Sequence, residues 1–205
     1  MKNYFEKLGH NSSLKERAYQ NIKKQIIRGN IKPETRLLEE GIAKAMNISR
    51  APIREAFNKL EKEGFVEIIP RKGTIVSKIT SKEVEDIFEI RENLELLAIK
   101  KSLKSLPLEH LNQLVQKFEQ FNFKTTEKSN RLQYLSLDKE FHDLLTKRCD
   151  NQMLIRLLSS IQEKVHWLRS FSLDRNSFNQ SIEEHLAIVS AIQKKNEKLV
   201  KSNLV

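Results

Sequence analysis

Apolar residues recur at helical spacing in three segments near the start of the chain. A first helix is predicted over residues 14–28, where Gly29 ends it, and a shorter second helix over residues 39–46. Ser49 can cap a third helix, whose apolar positions repeat at i, i+3, i+4 and i+7 before Gly64: Ile53, Ala56, Phe57 and Leu60. The pattern therefore predicts three consecutive helices, each with one buried face.

The spacing changes after Gly64 from helical to strand-like. Two short β-branched segments, FVEII and GTIVSKI, flank the turn PRKG at residues 70–73, which is typical of a β-hairpin with a basic tip. Three helices followed by such a hairpin predict a winged helix-turn-helix domain, which we assign to residues 10–79.

From residue 80 onward the apolar spacing is helical throughout. The segments that it predicts as helices lie near 81–105, 108–122, 129–148, 151–171 and 178–195, and from 196 onward. Pro107 and the polar stretch 124–130 mark two of the breaks between them. The predicted fold class is therefore mainly α: a winged helix-turn-helix followed by an all-α helical bundle over residues 80–205.

The composition narrows the class of protein. Hydrophobic residues make up 39% of the chain and charged residues 31%, which is ordinary for a globular protein. No apolar run approaches the roughly 18 residues of a membrane span, and the first residues lack the apolar segment of a secretion signal. A single cysteine, Cys149, excludes an internal disulfide framework and a four-cysteine zinc site. These features predict a cytoplasmic protein without a membrane segment.

The positive charge is concentrated in the first part of the chain. Residues 1–80 hold 17 Lys+Arg against 9 Asp+Glu, whereas residues 81–205 hold 20 against 18. A basic domain joined to a nearly neutral one favours a polyanionic partner for the first. A lysine-rich surface with no such partner is the alternative that charge alone leaves open.

The start of the third helix has the residue types of a DNA-recognition helix. Arg50 and Arg54 share a face, and Arg50 can pair with a guanine edge or a phosphate. Ser49 and the free amides of the helix N-terminus can donate to phosphate. At the hairpin tip, Arg71, Lys72 and Gly73 can enter the adjacent minor groove. The alternative is that these arginines only solvate a helix face.

The stretch 14–79 resembles the N-terminal domain of the GntR family of bacterial regulators, through LLEEGIAKAMNISRAPIREAFNKLEKEGFVEIIPRKGTIV. The resemblance implies contacts with double-stranded DNA through Ser49, Arg50, Ala51, Pro52, Arg54, Lys72 and Gly73. Two positions depart from the family pattern. Glu34 stands where the family usually has Gly, and Glu40 stands where some members carry an arginine, so no base contact is predicted from the second helix.

Three residues of the helical bundle form a candidate metal site. Asp138 and His142 lie at i and i+4 in LDKEFHDLL, so both project from one face of a helix and can chelate one divalent ion. His185 adjoins a predicted buried stripe on a later helix and can point inward. A surface or hydrogen-bonded core histidine is the alternative for each. His166 is left out of the ligand set, because its neighbour Trp167 favours a packing role.

Residues 81–205 resemble the FCD ligand-sensing domain that follows the winged helix in one GntR subgroup. The resemblance rests on Arg91 in IFEIRENLE, on D-x3-H at Asp138 and His142, and on E-H-x2-I from Glu184 to Ile188. It implies that Asp138, His142 and His185 bind zinc, nickel or manganese. It also implies a small carboxylate effector, for which Arg91 can supply a bidentate partner; a surface salt bridge to Glu95 is the alternative for Arg91.

A further histidine of the FCD pattern would fall beyond Val205. Either the sequence stops short of the end of the domain, which the resemblance favours, or this member lacks that histidine ligand. The predicted function is a homodimeric repressor that binds an inverted-repeat operator, with its affinity modulated by the carboxylate effector.

One alternative is a metal-dependent enzyme, but Glu184, the nearest candidate base, is turned about 100° from His185 on its helix. Another is a bundle that serves only for dimerisation.

Overall fold

The chain divides into two units, residues 1–80 and 81–205. The computed structural model describes residues 13–103, 105–121, 128–172 and 175–194. Within these ranges no helix combines the length and apolarity that crossing a membrane requires. The helix predicted from residue 196 onward lies outside the described residues.

The first unit is a winged helix-turn-helix, as predicted. Its elements are α1 (Leu14–Ile27), β1 (Arg36–Leu37), α2 (Glu39–Met46), α3 (Arg50–Lys62), β2 (Val66–Ile69) and β3 (Gly73–Val76). The hairpin of β2 and β3 is joined by β1, so that the antiparallel sheet has the order β1-β3-β2. The sequence pattern did not predict β1, because two residues are too few to show an alternating period.

Apolar faces of α1 and α3 form the core of this unit. The two helices pack against each other, and the apolar residues of their facing sides are almost fully buried: Ala18, Ile22, Ile26, Ile53, Ala56, Phe57 and Leu60. Helix α2 packs on α3 through its own buried face and ends at Asn47, which adopts the left-handed conformation. This packing fixes where the N-terminus of α2 lies relative to α3.

Glu34 has a backbone conformation that favours glycine. Its φ is 65°, and its N–H donates to the Val76 carbonyl oxygen at 2.8 Å, which ties the loop after α1 to β3. A side chain in the left-handed region crowds the following carbonyl. The departure at Glu34 noted in the sequence is thus a departure at a strained position.

Replacing Glu34 with Gly is expected to raise the free energy of unfolding by about 0.5–1 kcal/mol, because the left-handed strain disappears and the hydrogen bond to Val76 is kept. Lys32→Gly is the control, because Lys32 is exposed and has no positive φ. Urea unfolding should show stabilisation for the first variant and a small loss for the second. Equal losses in both would contradict the assignment of strain to Glu34.

The second unit consists of helices in the described residues, again as predicted. They are α4 (Ser81–Ser102), α5 (Leu108–Gln120), α6 (Lys128–Thr146), α7 (Gln152–Ser172) and α8 (Arg175–Gln193). Helix α6 packs against α4, α5 and α7, and α8 packs against α5. The largest apolar core cluster contains Leu111, Leu114, Phe118, Tyr134, Phe141, Leu145, Phe178, Ile188 and Val189.

Charged and polar side chains are buried within this helical unit. They come from α4, α6, α7 and α8 and are almost fully shielded from solvent: Arg91, Glu95, Asp138, His142, Gln162, His166 and His185. Burial of charge is costly unless each group is paired. The four helices therefore bring together a buried polar cluster, whose charged members have to be paired with one another.

Candidate functional site

The first turn of α3 exposes the side chains that were predicted to read DNA. Arg50 begins the helix and its side chain is 56% exposed; that of Arg54, one turn later, is 61% exposed. Ala51 is exposed and Pro52 is half-buried. Ser49 occupies the N-cap position but makes no side-chain capping bond, so its hydroxyl can donate to a phosphate.

Both arginines of this turn donate to Glu39, the first residue of α2. Nε and Nη2 of Arg50 lie 3.3 and 3.0 Å from Glu39 Oε2, and Nε of Arg54 lies 3.0 and 2.8 Å from the two carboxylate oxygens. Partial burial would raise the pKa of Glu39, but the hydrogen bonds from the arginines outweigh it and the pKa is lowered. Sequence reasoning missed Glu39 because it lies 11 and 15 residues from its partners.

The tip of the hairpin presents Arg71, Lys72 and Gly73, all exposed. Arg71 has φ 65° and Gly73 has φ 90°, which turns the chain tightly between β2 and β3. A Cβ on Gly73 would meet Nε and Nη2 of Arg36 at 3.6 Å, so the Arg36 guanidinium lies beside the tip. Arg36 is a basic residue that sequence reasoning missed, since it lies in the unpredicted strand β1.

An open cleft of about 480 Å³ connects these elements of the first unit. Arg36, Glu39, Arg50 and Gly73 are among the residues that line it. The structure thus brings the start of α3 and one side of the hairpin to the same concave surface. Positive groups along such a surface suit the phosphate backbone of DNA.

In the helical unit, the predicted ligand residues Asp138, His142 and His185 converge. Asp138 and His142 lie one turn apart on α6, and His185 comes from α8. Asp138 Oδ1 lies 3.7 Å from His142 Nε2 and 3.4 Å from His185 Nε2, and the two Nε2 atoms are 3.2 Å apart. All three residues are buried. Oxygen and nitrogen donors therefore form a compact triangle.

This triangle fits one divalent metal ion. Two ligands about 2.1 Å from a tetrahedral zinc lie about 3.4 Å from each other, which matches the three separations. Burial lowers the pKa of His185 to about 3, so the ring is neutral and Nε2 can offer a lone pair. His185 Nδ1 is buried and has no hydrogen-bond partner among the described residues, and the ring packs against Phe118 and Phe141. One carboxylate oxygen and two imidazole nitrogens are donors that divalent transition metals accept.

Glu95 and Arg91 of α4 also contact His142. Glu95 Oε1 lies 2.9 Å from His142 Nδ1 and 3.0 Å from Arg91 Nε, while Arg91 Nη2 lies 2.6 Å from His142 Nε2. Burial opposes ionisation of Glu95, but Arg91 and His142 outweigh it and lower its pKa to about 2. The alternative salt bridge of Arg91 to Glu95 does form, but it is buried and not at the surface.

The contact of Arg91 with His142 bears on metal binding. With the Nδ1 proton directed at Glu95, His142 has a single lone pair, on Nε2. Burial would lower the pKa of His142, but the Glu95 and Asp138 carboxylates outweigh it and the pKa is raised. A proton, an N–H of Arg91 and a metal ion therefore compete for the same lone pair.

Three residues of α7 surround the carboxylate of Asp138. Gln162 Nε2 and His166 Nε2 lie 3.2 and 3.3 Å from Oδ2, and Arg169 Nη1 pairs with Oδ1. Burial would raise the pKa of Asp138, but Arg169 outweighs it and holds the pKa well below its usual range. His166 thus contacts Asp138, a candidate metal ligand, which its prediction as a packing residue did not foresee. The signal was the spacing i, i+4, i+7 of these polar residues on α7.

Glu184, the candidate base of the enzyme alternative, lies outside this cluster. Its side chain is exposed and accepts a hydrogen bond from Gln180 at 3.0 Å. A general base has to come within hydrogen-bond reach of the proton that it removes. Glu184 therefore does not supply the base that metal-dependent hydrolysis would need.

Comparison with known families matches both units. The family described as "Bacterial regulatory proteins, gntR family" matches residues 14–76, and the FCD domain matches residues 86–203. Together the two matches span most of the chain, and each falls within one structural unit.

Curated relatives and solved structures agree with these matches. The chain is 30% identical over 188 residues to the uncharacterized HTH-type transcriptional regulator YdhC of Bacillus subtilis (strain 168), covering 91% of this chain and 84% of that protein. It is 30% identical over 181 residues to the HTH-type transcriptional repressor RspR of Escherichia coli (strain K12), covering 88% and 79%. The fold is similar to that of E. coli McbR/YncC, with a TM-score of 0.74, 22% identity, and coverage of 94% and 92%.

Proposed function

The chain belongs to the GntR family of bacterial regulatory proteins, and we propose that this DNA-binding transcriptional regulator is a repressor whose FCD domain senses a small carboxylate through a bound metal. The observation that carries the proposal is the buried triangle of Asp138, His142 and His185 beside the Arg91 guanidinium. The name of a relative, the repressor RspR, supports repression over activation.

The DNA-binding surface of the proposal is the start of α3 together with the hairpin tip. Ser49, Arg50, Ala51, Pro52 and Arg54 would contact one half-site in the major groove. Arg71, Lys72 and Gly73 would follow the adjacent backbone or minor groove, and exposed Arg36 lies beside them. Glu40 is also exposed, but its negative charge offers no phosphate contact.

A cytoplasmic homodimer would present two such surfaces to an inverted repeat, because two-fold symmetry in the protein is matched by two-fold symmetry in the operator. Exposed apolar side chains on α4 and α7, which pack together, support dimerisation through the helical unit: Ile90, Leu97, Met153 and Leu157. Large contiguous patches of exposed apolar residues mark protein–protein contacts, so the proposal requires that these four side chains form one continuous surface.

Asp138, His142 and His185 would hold the metal, with Glu95 orienting His142 in the manner of a carboxylate–histidine–metal arrangement. The bound ion would supply positive charge and open coordination positions to an anionic ligand. Gln162 and His166 contact Oδ2 of Asp138, which leaves Oδ1 facing the other two candidate ligands, His142 and His185. Zinc, nickel and manganese all suit these donors, and the donor types alone do not select among them.

The charge of the cluster favours a carboxylate as the effector. Asp138 and Glu95 balance Arg91 and Arg169 when the histidines are neutral, so a divalent ion leaves a buried site with excess positive charge. Metal binding also requires Arg91 to release His142 Nε2. Arg91 keeps its bond from Nε to Glu95 and can then direct its terminal nitrogens to a carboxylate.

The alternative of a metal-dependent enzyme is wrong, since the matched families and the relatives are transcriptional regulators. The other alternative, a bundle that serves only for dimerisation, predicts neither metal nor effector binding. The polar cluster argues against it, because a purely structural bundle of this size has no need to bury three charged side chains, those of Arg91, Glu95 and Asp138.

A titration of the chelator-stripped protein with Zn²⁺, Ni²⁺ and Mn²⁺ tests the proposed site. Calorimetry should show one high-affinity ion per chain, and tighter binding of succinate or citrate to the metal-loaded protein than to the stripped protein. His110→Ala is the control, since His110 is exposed and belongs to a different surface. Absence of saturable binding for all three metals would leave the dimerisation module as the better explanation.

A further inference from the structure

The carboxylate of Glu39 lies between the two arginines that α3 presents to DNA. We propose that Glu39 is a positioning residue for sequence readout: it holds the guanidinium groups of Arg50 and Arg54 in one fixed arrangement before DNA binds. The inference rests on the proposed DNA contacts of these arginines and adds a determinant of specificity to them.

The hydrogen bonds leave each arginine with donors for DNA. Arg50 uses Nε and Nη2, and Arg54 uses only Nε, on the same carboxylate. Nη1 of Arg50 and both terminal nitrogens of Arg54 make no hydrogen bond within the described residues. A fork with its Nε anchored keeps the terminal N–H groups that match a guanine edge or a phosphate. Glu39 thus holds both arginines in place and leaves terminal N–H groups of each available for hydrogen bonds to DNA.

Glu39 is itself well fixed. Its side chain is 26% exposed, about half the exposure of either arginine, so the carboxylate lies beneath the two guanidinium groups. It begins α2, whose buried residues Ile42 and Met46 anchor that helix to the unit's core and against α3. An acidic residue at a helix N-terminus is also favoured by the helix dipole.

A negative charge on this surface opposes binding to any DNA, because it repels phosphates. Its retention is explained if the carboxylate improves discrimination between sequences more than it weakens general affinity. Ordering two long side chains before binding removes an entropy cost that would otherwise fall on the specific complex. Specificity is the difference between the binding free energies for two DNA sequences, which corresponds to the ratio of the two affinities. Glu39 should therefore change this ratio.

Glu40 provides a matched control. It is the next residue on the same turn, carries the same charge, is exposed, and makes no ion pair within the described residues. Glu39→Ala and Glu40→Ala therefore remove the same charge from the first turn of α2. Only the first removes the anchor of the arginines.

The test measures fluorescence anisotropy of the full chain with two DNA duplexes: one that the wild-type protein selects from random sequence, and one of unrelated sequence. Both variants should bind the unrelated duplex somewhat more tightly. Glu39→Ala should lower the ratio of selected to unrelated affinity about tenfold, whereas Glu40→Ala should leave it within about twofold. Glu39→Gln, which keeps one weaker acceptor, should fall between them and serves if the alanine variant folds poorly.

Equal ratios for Glu39→Ala and Glu40→Ala would overturn the inference. That result is distinct from failure of the proposed function, which would appear as unchanged selected-site affinity in Arg50→Ala and Arg54→Ala. A lowered ratio in Glu39→Ala with an unchanged thermal midpoint supports a positioning role, because a merely structural role would shift the midpoint.

Discussion

Replacing Asp138 with Asn is expected to lower the free energy of unfolding of the metal-free protein by about 3–5 kcal/mol. Asp138 is fully buried and is the carboxylate with which the Arg169 guanidinium pairs, while Gln162 and His166 contact its second oxygen. An amide cannot balance the charge of Arg169, whose side chain is only 12% exposed. Urea unfolding in the presence of a chelator measures the loss.

The same variant is expected to lose metal binding, because the Asp138 carboxylate is the anionic donor of the triangle. Asp143→Asn is the matched control: it lies on the same helix, its carboxylate pairs with Lys139 and Lys147, and it is 28% exposed. A partly solvated pair contributes less than about 1 kcal/mol, so this variant should be nearly as stable as wild type and should keep its metal. A similar loss of stability in both variants would contradict the claim that the buried Asp138 carboxylate stabilises the helical unit more than the partly exposed Asp143 carboxylate does.

Replacing Arg50 with Ala is expected to weaken binding to the selected DNA site about 10–100-fold, while binding to unrelated DNA falls much less. A bidentate contact to a base edge discriminates by about 1–3 kcal/mol, and Arg50 begins α3 with its side chain 56% exposed. The exposed position means that the fold should be unaffected. Anisotropy with the two duplexes gives both affinities.

Lys62→Ala controls for the loss of one positive charge from α3. Lys62 is exposed at the opposite end of the helix and should affect both duplexes slightly and equally. If Arg50→Ala lowered the two affinities by the same factor, Arg50 would be a phosphate contact and the assignment of base reading to it would be wrong.

The long helices and the hairpin were predictable from the sequence because their apolar positions repeat many times. Two short or strained features were not. Strand β1 has only two residues, and the spacing of apolar and polar side chains does not predict the left-handed conformation of Glu34. Both depend on hydrogen bonds to β3, which the spacing of residues along the chain does not show.

The candidate metal residues were predictable to different degrees. Asp138 and His142 lie one turn apart, so their proximity follows from helix geometry, but His185 needed the family resemblance or the fold to join them. The contacts that bury the cluster come from α4 and α7. Glu95 was considered only as a surface partner of Arg91, and Arg169 was not considered, because pairing across helices depends on how the helices pack.

In the proposed function, the effector and DNA sites are coupled through a change in the populations of two states of the protein. A carboxylate that binds one state of the helical unit more tightly shifts the protein towards that state, and the shift alters DNA affinity by the same coupling free energy. Typical couplings change affinity by about 5–150-fold. The metal is required for this response because it supplies the positive charge and the open coordination positions to which the carboxylate binds.

The most direct test is the affinity of the wild-type protein for its selected DNA site in four conditions: metal-free, with Zn²⁺, with citrate, and with both. We expect an affinity about tenfold weaker when metal and carboxylate are present together than with either alone, with Asp138→Asn unresponsive and Asp143→Asn like wild type. Succinate and acetate, and Ni²⁺ or Mn²⁺, extend the same measurement to other ligands. The same affinity in every combination of metal and carboxylate would contradict a metal-dependent response of DNA binding to a carboxylate.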